Sequence, residues 1–357
     1  LAALIVGRYH FIEAPQPELY DVLQDPDEMK NLVGSEPALE TELRTTLSRY
    51  DRRLEEPAAA DRETRRQLEA LGYVGGASTT DDDVLPDPKS RVDTLAEIQR
   101  AYRLYADGDF KSAVPALQRI IEENPAMEDA WEYLALAQLG LGLPAEAVAT
   151  YQAALEQLRH SKRLSLRAAL LLEQMGRLDE AFVYANIAIP YNPPAAHLLL
   201  AQIAFKRGDL EGAEAEAREA MSSGDRQPGP RLVLADIFIT RGDPSGAIDL
   251  LTRTLDEGIT DDSVHAKLAI TYVWIGDYDS AEEVLRGFVE TEDLSLLLAF
   301  GKLASSRQRW GEAKGWFERA LRADPTNPTI KLNLGQIAMA EDNLSQARGF
   351  LEEAVAG

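Results

Sequence analysis

The side chains with the most chemical reach in this 357-residue sequence are few and scattered. There is no cysteine, which removes disulfides, thiolate nucleophiles and cysteine-held metals. Four histidines, His10, His160, His197 and His265, have no local histidine partner at ligand spacing. The last two stand where another stretch has Trp131, a packing position between helices. Asp81-Asp82-Asp83 could open a calcium loop, yet the central glycine and closing glutamate are missing. It reads as a solvated charge run. Gly140-x-Gly142 lies inside a helix–turn–helix pattern rather than after a strand, against a dinucleotide site. Asn343-Leu344-Ser345 fits a glycosylation sequon and decides nothing alone. The expectation is no catalytic, cofactor or metal site in this chain.

Charge narrows the partners. With 37 basic against 60 acidic residues the net charge is −23, which opposes nucleic acid and anionic membrane surfaces. Apolar runs such as Leu1–Val6 are far too short to span a bilayer, so no membrane insertion is expected. A start at Leu1 without methionine or a charged leader suggests a processed or truncated product.

The elements that would position any site come from a repeat. Ala113, Ala147, Ala181, Ala213, Ala247, Ala281, Ala313 and Ala347 recur at spacings of 34, 34, 32, 34, 34, 32 and 34. Five residues earlier stands Gly108, Gly142, Gly176, Gly208, Gly242 or Gly276, with Gln308 and Asp342 in the last two places. Four residues later come Leu117, Tyr151, Ala185, Ala217, Leu251, Leu285, Phe317 and Leu351. Each unit predicts an apolar helical stripe, a left-handed glycine turn and a second stripe. In one unit Trp131, Leu134, Ala135 and Gln138 share one face, answered by Ala147, Tyr151 and Ala154. One such pair cannot bury its stripes, so neighbours must stack and share a core.

These residues resemble tetratricopeptide (TPR) repeats, through Trp131-x2-Leu134, Ala147-x3-Tyr151, Leu334-Gly335 and Ala347-x3-Leu351. Ala135 replaces the usual glycine. The resemblance implies an all-α fold, a right-handed superhelical solenoid of eight helix–turn–helix repeats. The units are 94–127, 128–161, 162–193, 194–227, 228–261, 262–293, 294–327 and 328–357. Pentatricopeptide repeats share the period but bind RNA, which this acidic surface disfavours. Further repeats or a capping helix are expected after Gly357, because an open end exposes apolar surface.

In such arrays the first helix of each pair lines a concave groove that binds proteins or peptides. Helical projection places Tyr102, Tyr105, Glu173, Gln202, Phe205, Lys206, Asp236, Thr240, Trp274, Lys302, Ser306 and Gln336 near that face. The family's Lys and Asn clamp for a C-terminal carboxylate is absent: Ile98/Tyr102, Leu166/Leu170, Leu198/Gln202 and Leu298/Lys302 stand there instead. Aromatic residues over an acidic scaffold would suit a partly apolar, basic segment.

Residues 1–76 differ. Leu1–Val6 and Tyr9–Glu13 around Gly7-Arg8 predict a β-hairpin, with Glu18–Asp21 continuing extended. Residues 37–54 and 61–71 have helical periodicity, ending at Gly72–Gly76. Leu4, Val6, Phe11 and Ile12 have too little chain nearby to cover them, which points to a larger body. Residues 77–93 predict a linker. The motifs Gly7-Arg8-Tyr9-His10-Phe11-Ile12-Glu13, Glu18-Leu19-Tyr20-Asp21, Asp25-Pro26-x-Glu28 and Asn31-Leu32 resemble the C-terminal subdomain of sulfatases. His10 stands where lysine is common. Leu68-x-x-Leu71-Gly72-Tyr73-Val74 resembles the tail of bacterial sulfatases that continue into TPR arrays.

That resemblance implies a sulfuric ester hydrolase whose formylglycine nucleophile and calcium site lie in upstream sequence. Ser35-Glu36-Pro37-Ala38-Leu39 lacks the arginine of the formylglycine motif, so this chain alone is not an enzyme. The expected function is a protein-interaction scaffold attached to a sulfatase-type hydrolase. The alternatives are a free-standing TPR adaptor, or the tail of a related hydrolase acting on phosphate esters. Periplasmic or extracellular export follows from the resemblance only, and oligomeric state is not readable.

Overall fold

The computed structural model describes residues 2–50, 92–158, 161–223 and 227–356. The expected helix over 61–71, its glycine-rich end, the linker aspartates and His160 lie outside the described residues. By contacts the chain divides into two compact units, residues 1–164 and 165–357.

In the first unit, strands β1 (Ala2–Val6), β2 (Tyr9–Glu13) and β3 (Glu18–Asp21) form an antiparallel sheet in the order β1-β2-β3. The expected hairpin thus gains a third strand. Helix α1 spans Pro37–Leu47 and gives way to a turn at residues 48–50, while residues 51–54 of the expected helical stretch lie outside the described residues. It also corrects the idea that the hairpin lacks a cover. Leu43 and Leu47 pack on Phe11 and Leu19, both fully buried, with Leu4, Leu32 and Leu39 around them. Ile5 and Val6 do stay exposed.

Side chains of the N-terminal segment fasten this sheet. Arg8 donates to the Asp21 carboxylate, and Nδ1 of His10 lies 2.6 Å from Glu28. Tyr20 donates to Glu18 at 2.5 Å. Asn31 accepts from the amides of Leu19 and Val33 at 3.0 Å each. The hydrogen bond from Arg8 holds the Asp21 carboxyl below the usual range, against burial. The contact with Glu28 ties β2 to the turn after β3.

Helices α2 (Val92–Ala106), α3 (Phe110–Glu123), α4 (Glu128–Gly140) and α5 (Pro144–Gln157) complete the unit. Helix α6 (Lys162–Gln174) contains the division between units. The second unit continues with α7 (Leu178–Ala188), α8 (Pro193–Lys206), α9 (Leu210–Ser222), α10 (Gly229–Thr240) and α11 (Pro244–Asp256). It ends with α12 (Asp262–Trp274), α13 (Tyr278–Leu285), α14 (Leu294–Ser306), α15 (Trp310–Ala323), α16 (Pro328–Ala340) and α17 (Leu344–Ala356). The fold is therefore mostly helical and of the TPR solenoid type, with a small N-terminal sheet.

The repeated alanines do what their spacing requires. Ala113, Ala147, Ala181, Ala213, Ala247, Ala281 and Ala313 are fully buried. A second small register runs along the first helices: Ala101, Ala135, Ala169, Ala201, Ala235 and Ala269, then Gly301 and Gly335. Gly301 complements the bulky Phe317 on α15, because a Cβ on Gly301 would lie 2.6 Å from the ring.

Each first helix ends the same way. In the earliest such turn Gly108 has φ +78°, its amide bonds Tyr105 O, and the Asp109 amide bonds Leu104 O. This doubly bonded close needs a left-handed residue. Gln308 and Asp342 adopt it too, at φ 58° and 57°, with the same bonds. A left-handed side-chain residue costs about 1–2 kcal/mol, partly offset by the greater entropy glycine loses on folding. Gln308→Gly should therefore stabilise by about 0.5–1 kcal/mol. A higher urea midpoint checks this, and an unchanged or lower one contradicts it. Asp109, Asp209, Asp243 and Asp277 follow directly and cap the second helices through the amides of Ser112, Gly212, Gly246 and Ser280.

Candidate binding face

The groove residues expected from the sequence divide between packing and surface. In the first unit, Tyr102 and Tyr105 lie on α2 with rings 4.5 and 4.9 Å from Tyr133 of α4. Tyr105 also lies 5.7 Å from Phe110. These rings pack α2 against its neighbours, and the two tyrosines are half-buried.

The second unit places the rest on one succession of first helices, where α8 packs on α10, α10 on α12 and α12 on α14. Glu173 of α6 meets Lys206 of α8 at 2.5 Å. Gln202 is half-buried. Phe205 packs against the cluster of Ala201, Ala213, Val233 and Ile237, so it belongs partly to the core. Asp236 of α10 pairs with Lys267 of α12 at 2.6 Å. Thr240 turns its hydroxyl back to Asp236 O at 2.8 Å. Ser306 and Gln336 are exposed. Trp274 is 58% exposed, a large apolar surface for a side chain flanked by packed repeats.

Lys302 of α14 completes the face and is half-buried. Burial, then the charge of Lys267, pushes its ammonium below the usual lysine range, against the pull of Asp236. Lys267 was not among the residues expected here. Its register holds Val233 and Ala299 in the flanking repeats, positions that read as core. The long stem of lysine crosses that apolar site and delivers its charge to Asp236. The surface is thus more cationic than the composition implied.

The histidines are absorbed by local contacts. His197 pairs with Glu216 at 2.7 Å, and His265 lies 4.8 Å from the Phe288 ring. Among the described residues no group of three or more His, Asp or Glu could hold a metal ion. Among the described helices none is long and apolar enough to cross a membrane.

Comparison with known proteins assigns the repeat type. Family models described as tetratricopeptide repeat match residues 98–162, 194–219 and 304–356. No curated protein matches the chain. Among solved structures, a tetratricopeptide repeat protein from Parabacteroides merdae is 18% identical, with a TM-score of 0.58 over 71% of this chain and 98% of that one. The Cut9 and Hcn1 hetero-tetramer of the APC/C is 13% identical, with a TM-score of 0.49 over 84% of this chain and 57% of that one. TTC0263, a TPR protein of Thermus thermophilus, is 21% identical over 50% of this chain and all of that one, at a TM-score of 0.45.

Proposed function

We propose that this chain, which carries tetratricopeptide repeats, is a non-catalytic scaffold whose first-helix face holds a segment of a partner protein. The reading takes residues 94–357 as eight repeats, 77–93 as a linker and 1–76 as a separate subdomain. The observation that carries it is Trp274, exposed on a face otherwise occupied by the Glu173–Lys206 and Asp236–Lys267 pairs. An indole set among charged groups offers apolar area and a hydrogen-bond donor, the make-up of binding hot spots.

The finer reading makes the scaffold the interaction arm of a sulfatase-type hydrolase exported from the cytoplasm. It rests on the motifs of residues 4–76 alone, since the family models match only from residue 98 onward. Those motif residues hold a sheet together rather than form a nucleophile or a calcium site. Formylglycine and calcium do not fit the residues present: there is no cysteine, and Ser35-Glu36-Pro37-Ala38-Leu39 lacks its arginine. Any ester hydrolysis would belong to upstream sequence.

Trp274→Ala tests the binding face. Truncating an exposed side chain should change stability by no more than about 0.5 kcal/mol, while a hot-spot loss of about 2 kcal/mol lowers partner capture roughly thirtyfold. Affinity capture from the source organism, with circular dichroism on the same samples, reads both. Undiminished capture would contradict the proposal. Phe205→Ala is a poorer probe, because that ring supports the core.

A further inference from the structure

We propose that Lys302 and Lys267 together accept an acidic side chain of the bound protein segment, with Trp274 two helical turns beyond Lys267 on the same face. The inference rests on the binding face described above and gives its partner a charge.

Three observations converge. Among the described residues Lys302 has no carboxylate within ion-pair distance, although acidic residues outnumber basic ones 60 to 37. A half-buried cation left without a partner in so acidic a chain is an energetic liability, since desolvation is not repaid by a counter-charge. Second, a cation on the helix packed against α14 makes matters worse: Lys267 of α12 repels Lys302, and Asp236 bonds Lys267 at 2.6 Å rather than Lys302. Two ammonium groups facing one carboxylate leave room for a second anion. Third, Trp274 follows Lys267 by two helical turns on the same face, about 10 Å along α12. A segment laid along this face therefore meets the lysines with a carboxylate and Trp274 with an apolar group about 10 Å further on. This reverses the basic segment expected from net charge, because the local charges and not the sum decide what the face attracts.

The lysines come from successive first helices, in different registers, so the acceptor spans two repeats. Its occupant is a glutamate or aspartate side chain within a protein segment.

Carbon-13 dimethylation of the nine lysines gives each a separate NMR signal. The probe is N-acetylglutamate α-amide, with N-acetylglutamine α-amide as the neutral control at matched ionic strength. Lys302 and Lys267 should shift saturably with the carboxylate probe alone, several times more than the exposed Lys30 and Lys111. Equal shifts at all four would overturn the proposal. In partner capture, Lys302→Gln should lose about tenfold while Lys302→Arg stays within threefold of wild type. Lys302→Gln should also raise the thermal midpoint, because the uncompensated charge is gone. Capture that survives Lys302→Gln but fails with Trp274→Ala would sink the acidic subsite and leave the binding face standing. Capture indifferent to Trp274→Ala would sink the face itself.

Discussion

Replacing Arg163 by methionine should destabilise the first unit by about 3–5 kcal/mol at neutral pH. Arg163, at the start of α6, reaches Asp129 at 2.5 Å and Glu128 and Glu132 at 3.3 Å. Asp129 and Glu132 are 4% and 5% exposed. Burial works against the guanidinium charge, yet the three carboxylates outweigh it and hold Arg163 above the ordinary arginine value. Methionine keeps the apolar stem and takes the guanidinium away from two buried carboxylates. Urea unfolding at pH 7 should show the deficit as a lowered midpoint. Adding Asp129→Asn and Glu132→Gln should recover much of the loss. A deficit that Asp129→Asn and Glu132→Gln leave untouched would show that Arg163 matters only through packing.

The second large effect concerns the small register of the first helices. Gly301→Ala places a methyl about 2.6 Å from the Phe317 ring, which is fully buried in its cluster. Overpacking costs about 1–3 kcal/mol, against a gain of about 1 kcal/mol in helix propensity. The net result should be a loss of about 1–2 kcal/mol. Phe317→Leu alone leaves a void and loses stability as well. Combined, Gly301→Ala and Phe317→Leu recreate the Ala269 and Leu285 pair found two helices earlier. The double variant should thus be more stable than the two single losses predict, with a coupling energy above about 1 kcal/mol. Additive losses would mean that position 301 does not set the helix spacing.

That compensation explains how much could be read beforehand. The fold class was legible because a small residue is needed wherever two helices approach, and eight alanines repeat at one register. The turns were legible as positions but not as residues. Gln308 and Asp342 look wrong for a left-handed close, and only the surrounding hydrogen bonds hold them there. The third strand was harder, because Glu18–Asp21 is too short for an alternating pattern to declare a partner. The cover over Phe11 depends on how α1 folds back, which no local signal encodes.

The binding face was legible in part. Helical projection orients Trp274, Asp236 and Lys302 because it needs only the period. It cannot foresee that Tyr133 takes up Tyr102 and Tyr105, since that depends on side-chain direction between helices. Nor can it find Lys267, whose register reads as core while its ammonium does not stay there.

The central claim is that partners dock on the face of the first helices in residues 165–357. Site-specific photocrosslinking tests it most directly, with benzoylphenylalanine at Thr240, Trp274 or Ser306 on that face, and at Glu219, Arg253 or Glu283 on the second helices. Partner crosslinks are expected from the first three positions and few from the others. Crosslinks confined to positions 219, 253 and 283 would contradict it.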